Sequence, residues 1–270
     1  MAAPRVLVTR PAQEAGRWTE ELRRRGIEAE SLPLIDIAPL PDPAPLQAAW
    51  REAHRHFALM FVSANAVQHF MAARPAGQPL TAQAWGTGPG TQAALLAAGW
   101  PAGQIRCPAA GAGKFDSEAL WELVQGQVHE HLARHARDSR PGAHGPSVLI
   151  VRGADAQGQL AGRDWLAAQL LSAGLQVAQC VAYARRVPVL DPSARARALQ
   201  ALSDGSWWLF SSAEAAHNLA LLLPGAIGLS SRALATHPRI AERLRQLGWG
   251  RVEQVPPSLD GQAASIESLA

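Results

Sequence analysis

Short apolar runs alternate along this chain with longer stretches in which apolar residues recur every three or four positions. Residues 5–9 are apolar and β-branched and predict a strand. Residues 13–25 predict a helix, with Trp18 and Leu22 four apart on one face, and Gly26 supplies a left-handed cap. Residues 27–35 read as a second strand. Four prolines between residues 38 and 45 cannot continue a helix or a central strand, so this stretch reads as a linker. The rhythm resumes with a strand at 57–62, Ser63 as a helix N-cap, and a helix to about residue 71. A strand at 82–86, a Gly-rich turn at 87–91 and a helix ending at Gly99 follow. A further helix starts near Asp116 with Leu120, Leu123, Val124 and Val128 as its stripe, and residues 134–146 read as a polar loop. A strand at 148–151 restarts the pattern, and Pro188, Asp191 and Pro192 mark a second linker. Strands are expected at 207–210, 232–236 and 252–255, with helices after Ser212, from Pro238 to Gly248, and over 265–269.

Two stretches echo each other. Arg5-Val6-Leu7-Val8-Thr9-Arg10 opens one and Ser147-Val148-Leu149-Ile150-Val151-Arg152-Gly153 the other; a helix carrying a Trp (Trp18, Trp165) and a helix-stopping glycine (Gly26, Gly174) follow each. A second pair, 61–67 and 210–216, repeats Phe and Ser ahead of a helix. The offset of about 145 residues is too long for a solenoid and implies a duplicated domain. Alternating strands and helices give parallel sheets with helices on both faces. The expected fold is therefore α/β, with two similar flavodoxin-like domains. Ligands sit beside the carboxyl ends of such strands, and a cleft between two domains is a natural site. That places the candidate site on the turns after Thr9, Val62, Thr87, Val151, Phe210 and Thr236.

At 270 residues the chain is long for one core, which agrees with two domains. No apolar run is long enough to span a bilayer, and a strand so close to the start leaves no room for a signal peptide. Two isolated cysteines, Cys107 and Cys180, fit a reduced, cytoplasmic protein. The net charge is +3, and Lys114 is the only lysine. Arginine suits an anionic ligand, although Arg and Ala abundance also follows from a GC-rich genome. No basic run is interleaved with aromatics, so nucleic-acid binding is not expected.

Eight segments in order, Val8-Thr9-Arg10-Pro11, Phe61-Val62-Ser63-Ala64-Asn65-Ala66-Val67, Gly88-Pro89-Gly90-Thr91, Phe115-Asp116-Ser117-Glu118-Ala119-Leu120, Val151-Arg152-Gly153, Tyr183-Ala184-Arg185-Arg186-Val187-Pro188, Phe210-Ser211-Ser212 and His237-Pro238-Arg239-Ile240-Ala241, resemble the uroporphyrinogen-III synthases over almost the whole chain. The resemblance implies one discontinuous domain (1–37 plus 187–270), a second domain (38–186), and linkers near 37–45 and 184–192, where the proline-rich stretches fall. It implies dehydration and cyclisation of hydroxymethylbilane, a linear tetrapyrrole with many carboxylates, with inversion of the last ring and without a cofactor. Such catalysis works mainly by positioning. A rival class is a two-domain module that binds an anionic ligand without chemistry. A flavodoxin-like redox protein would need a phosphate loop and flanking aromatics, which are missing.

By this resemblance Tyr183, the only tyrosine, is the catalytic residue, donating a hydrogen bond to the departing hydroxyl; otherwise it packs at a hinge. Gly88, Gly90 and Thr91 form a helix N-terminus suited to a carboxylate, or an ordinary cap. Ser63 and Ser212 are equivalent N-caps and substrate contacts, and Asn65 adds an amide. Arg10 and Arg152, with Gly153 beside it, end equivalent strands, where they bind carboxylates or pair with acids such as Glu14 and Asp155. His237 and Arg239 line the second-half turn, where many relatives have Gly and Thr while this chain has His237 and Ile240. His129, His131 and His135 lack further ligands, so no metal is expected. The expected protein is a monomer.

Overall fold

Burial of apolar strands beneath amphipathic helices decides the architecture. The computed structural model describes residues 4–109, 117–138, 145–155, 158–160 and 165–269. The first elements are β1 (Val6–Val8), α1 (Ala12–Arg24), β2 (Ala29–Ser31), β3 (Asp36–Pro39), α2 (Ala44–Glu52), β4 (Ala58–Phe61) and α3 (Ala64–Ala72). Next come β5 (Gln83–Gly86), α4 (Pro89–Ala97), β6 (Ile105–Arg106), α5 (Ser117–Asp138), β7 (Ser147–Ala154), α6 (Trp165–Ser172) and β8 (Gln176–Arg186). The last are α7 (Pro192–Ala201), β9 (Trp207–Phe210), α8 (Ala213–Leu222), β10 (Arg232–Ala235), α9 (Pro238–Gln246), β11 (Arg251–Gln254) and α10 (Leu259–Glu267).

The chain divides into two units, Met1–Ile37 with Arg186–Ala270, and Ala38–Arg185. The first holds a parallel sheet of order β11-β10-β9-β1-β2. Its inner strands β1, β9 and β10 are largely apolar on both faces, as a sheet covered on both sides requires. Val6, Val8, Trp207, Leu209 and Leu234 pack with Trp18 and Leu22 of α1 and with Ile266 of α10. Leu7, Trp208, Phe210 and Ala235 point the other way, onto Ala198 of α7, Leu219 of α8 and Leu244 of α9. The second sheet has order β3-β8-β7-β4-β5-β6, and the strands from β8 to β6 run parallel. Ala58, Met60, Trp85, Val148 and Ile150 pack with α5 and α6. Elsewhere in this unit, Phe61 meets Phe70 and Trp100 edge-on, and Trp50 stacks on Phe70 at 4.4 Å. The expected α/β class with helix-flanked parallel sheets is what forms. Gly26 and Gly174 close their helices with φ of +80° and +99°, a region where a Cβ is penalised.

Several expectations need correction. The proline-rich stretch is not simply a linker: Pro39 ends β3, an edge strand, where a missing N–H is harmless. Pro43 then caps α2 and Pro45 sits in its first turn, where no intrahelical donor is lost. Likewise Asp191 caps α7, accepting from the Ala194 amide at 2.7 Å, with Pro192 at the first position. The polar stretch from 134 is helical as far as Asp138, because α5 runs 22 residues; residues 139–144 lie outside the described residues. The strand expected at 27–35 shrinks to β2, and the last helix starts at Leu259, capped by Ser258, rather than at Ser265. Phe115 and Asp116 also lie outside the described residues.

Candidate functional site

At the carboxyl edge of the second sheet, strands β8, β7, β4 and β5 lie side by side. Phe61 pairs with Val151 on one side and Gly86 on the other, so the turns after these residues share one rim. The Val62 amide reaches Val151 O at 3.2 Å, and Thr87 Oγ1 donates to Val62 O at 3.2 Å. The β7–β8 pairing slips here: Arg152 faces Val181, but Gly153 faces Tyr183, so Ala182 is an extra residue on β8. A bulge of this kind re-aims a side chain at the end of a ladder.

The re-aimed side chain is Tyr183. Its hydroxyl lies 3.1 Å from Ser63 Oγ, and Ser63 Oγ also accepts from the Ala66 amide at 3.1 Å as the N-cap of α3. A Cβ placed on Gly153 would stand 2.6 Å from Tyr183 Cε2 and Cζ and 3.0 Å from its hydroxyl. Only glycine leaves that space. The His69 ring on α3 lies 5.5 Å from the Tyr183 ring at 30°, and burial lowers the His69 pKa. Tyr183 is 3% exposed. Ser63, Gly153 and Tyr183 thus meet in one contact cluster within this unit.

The neighbouring turn carries Gly88 as N-cap of α4, with Gly90 and Thr91 in its first turn. Thr91 is buried against Gly86, where an added Cβ would come within 3.0 Å of Thr91 Cγ2. The Cys107 thiol occupies the same end of the helix. Burial pushes it up to about 11, against the opposing pull of backbone N–H groups at Gln92 and Gly88. Asn65 is half-buried in the first turn of α3.

In the first unit the equivalent rim follows β10, β9 and β1. Thr9 Oγ1 donates to Leu209 O at 2.8 Å and ties β1 to β9. Arg10 lies over the Trp18 ring at 4.0 Å and pairs with Glu14 at 3.2 Å; burial lowers its pKa, and Glu14 opposes the shift. Ser212 caps α8 by accepting from Glu214 N at 3.2 Å, and His237 Nδ1 caps α9 by accepting from Arg239 N at 3.1 Å. His237 and Arg239 are exposed.

Arg152 and the histidines of α5 stand apart from these rims. Arg152 is 3% exposed and donates to Gln179 Oε1 at 2.9 Å inside its unit. His131 stacks on Phe57 at 4.0 Å, whereas His129 meets Trp121 edge-on, so the two rings go to different partners. A cavity of about 1100 Å³ in the second unit lies at the opposite strand ends, by Phe57, Ser147 and Gln176. Sequence reasoning missed His69, Cys107 and the Ala182 bulge. His69 lies on the helix capped by Ser63, which is the signal that would have found it; the bulge leaves no local signature.

A family model described as Uroporphyrinogen-III synthase HemD (HEM4) matches residues 16–262. Among solved structures, the chain is similar to a mutant uroporphyrinogen III synthase from the extremely thermophilic bacterium Thermus thermophilus, with 18% identity, coverage of 99% of this chain and 98% of that one, and a TM-score of 0.54. It is also similar to uroporphyrinogen-III synthetase from Helicobacter pylori, with 16% identity, coverage of 99% and 100%, and a TM-score of 0.52. These likenesses agree on the fold.

Proposed function

Because the chain belongs to the uroporphyrinogen-III synthase family, we propose that it dehydrates and cyclises hydroxymethylbilane to uroporphyrinogen III, a cofactor-free lyase reaction with inversion of the last pyrrole ring. The observation that carries this reading is Tyr183, seated 3.1 Å from Ser63 at a strand-end rim by a bulge and a glycine. In the first step the carbon–oxygen bond breaks. The hydroxyl leaves with the bonding pair, takes the Tyr183 proton and becomes water. The methylene cation left behind attacks the already substituted α-carbon of the last ring to give a spiro centre. The older bond from that carbon to its neighbouring methylene then breaks, and the new cation closes on the free α-carbon, whose lost proton restores the proton count. The enzyme's larger task is to hold the flexible chain so that the inverted closure wins over direct closure. Since Tyr183 is buried, the rim must open as substrate arrives.

Substrate carboxylates fall, in this reading, to the amide-bearing helix starts at Gly88, Gly90 and Ser212, and to the exposed His237 and Arg239. Ser63 and Gly153 hold Tyr183, and Asn65 and Thr91, in the first turns of α3 and α4, contribute contacts to substrate from the same strand-end edge. Arg10 and Arg152, already engaged with Glu14 and Gln179, hold strand ends in place. The protein acts as a cytoplasmic monomer, without nucleic acid or membrane partners.

Incubation with hydroxymethylbilane, oxidation and separation of the porphyrin isomers tests the activity: isomer III is expected, and isomer I alone refutes it. Tyr183→Phe is expected to lower kcat several-fold while the fold persists. A stable Phe variant with full turnover removes Tyr183 from the reaction.

A further inference from the structure

We propose that Ser63 is a positioning residue for Tyr183: its hydroxyl donates to the phenol oxygen and so leaves the Tyr183 proton free for an acceptor on the substrate. This rests on the reading of Tyr183 as proton donor. The argument is one of proton counting. A serine hydroxyl has one proton and two lone pairs. One lone pair of Ser63 Oγ is taken by the Ala66 amide at 3.1 Å, and its proton has the phenol oxygen in reach at 3.1 Å. Tyr183 also has one proton. If that proton is spent on Ser63, Tyr183 has none to give to a departing hydroxyl. The two directions of this one bond therefore have opposite consequences for the reaction.

The surroundings leave little else to vary. Gly153 lies against the ring so closely that a Cβ would reach to 2.6 Å, and His69 borders the ring at 5.5 Å. The bulge at Ala182 fixes where Tyr183 leaves β8. Ser63 stands at the N-cap of α3, a nine-residue helix whose amino end favours negative charge nearby. As the proton leaves, charge develops on the phenol oxygen, and the donor that already faces it meets that charge at no reorganisation cost.

The chain has a single tyrosine, so labelling with tyrosine enriched in ¹³C at Cζ gives one resonance, which reports Tyr183 alone. Ser63→Ala and Ser63→Gly both remove the hydroxyl; the Gly variant retains most of the capping stability. Ser63→Thr restores both. Both deletions are expected to shift the substrate-free resonance, and Thr to bring it back towards wild type. The deletions are also expected to lower kcat about threefold to tenfold, the loss of one hydrogen bond, with KM within about twofold. An unmoved resonance, as for a plain helix cap, overturns the proposal. So does a kcat that holds or rises in both deletions while Tyr183→Phe is slow, because the bond then runs from Tyr183 to Ser63. Full turnover by Tyr183→Phe instead refutes the proton-donor reading itself.

Discussion

Gly153 shows how much one missing methyl group can decide. Its backbone is not in the left-handed region, so alanine is tolerated by the main chain, and the nearest atoms its Cβ would meet belong to Tyr183. A Cβ 2.6 Å from two ring carbons cannot be accommodated without moving the phenol. Gly153→Ala is therefore expected to destabilise the protein by about 1–3 kcal/mol, the usual cost of overpacking, and to cut kcat more than Ser63→Ala does. Urea unfolding with steady-state kinetics measures both. In the double variant with Tyr183→Ala the stability loss should be less than the sum of the single losses, because the clash has no ring to act on; strict additivity would show that Gly153 serves some other neighbour. Residue-scale chemistry was only half legible in the sequence. Ser63 as an N-cap follows from its neighbours along the chain, whereas its bond to Tyr183 joins residues 120 positions apart and depends on a bulge that no local pattern announces.

At the scale of elements, the inner strands and the helices capped by Ser63 and Ser212 were legible because each carries its own signal, whereas β3, β6 and the start of α10 at Ser258 were not. The helices α2 and α7 were not, for a shared reason. Proline at a helix start and proline in a linker look alike until the following turn is weighed. In α7 the buried face is made of Ala194, Ala198 and Ala201, too small to read as an apolar stripe. The helices of the second unit also carry a testable electrostatic load. His69 on α3 borders Tyr183, His131 on α5 stacks on Phe57, and His56, just beyond α2, contacts Ser147 at 2.8 Å. Burial lowers the pKa of all three below 6.5. In the window below 6.5 the unfolded chain binds more protons at these sites than the folded one, so these groups make stability fall as pH drops. The urea midpoint should therefore decrease from about pH 7.5 to about pH 5.5, and replacing the three histidines with glutamine should flatten that decrease. An unchanged slope in the triple variant would assign the acid sensitivity to other groups.

For the whole molecule, the near-repeat acquires a structural meaning. Apart from β3, which adds an edge to the second sheet, the two sheets share one order: β2-β1-β9-β10-β11 in the first unit and β8-β7-β4-β5-β6 in the second. The echoing runs, β1 with β7 and β4 with β9, occupy the same places in their sheets. Read along the chain, the duplicated halves have exchanged partners: β1 and β2 join β9 to β11, while β4 to β6 join β7 and β8. This exchange explains why periodicity revealed a duplication but not which halves fold together, since both pairings bury equivalent faces. It also separates the units by their folding requirements. Residues 38–185 form one continuous segment, and a domain of about 150 residues buries roughly 70% of its unfolded surface. That segment expressed alone is expected to show α/β circular dichroism and one cooperative urea transition. The segment 186–270 alone lacks β1, the strand that lies beside β9, and the Val6 and Val8 contacts with Trp207 and Leu209. It should remain unfolded until a 1–37 peptide is supplied, because neither piece can complete the central strands of that sheet by itself. Independent folding of 186–270 would mean that the N-terminal strand pair is an accessory to that unit rather than part of its core.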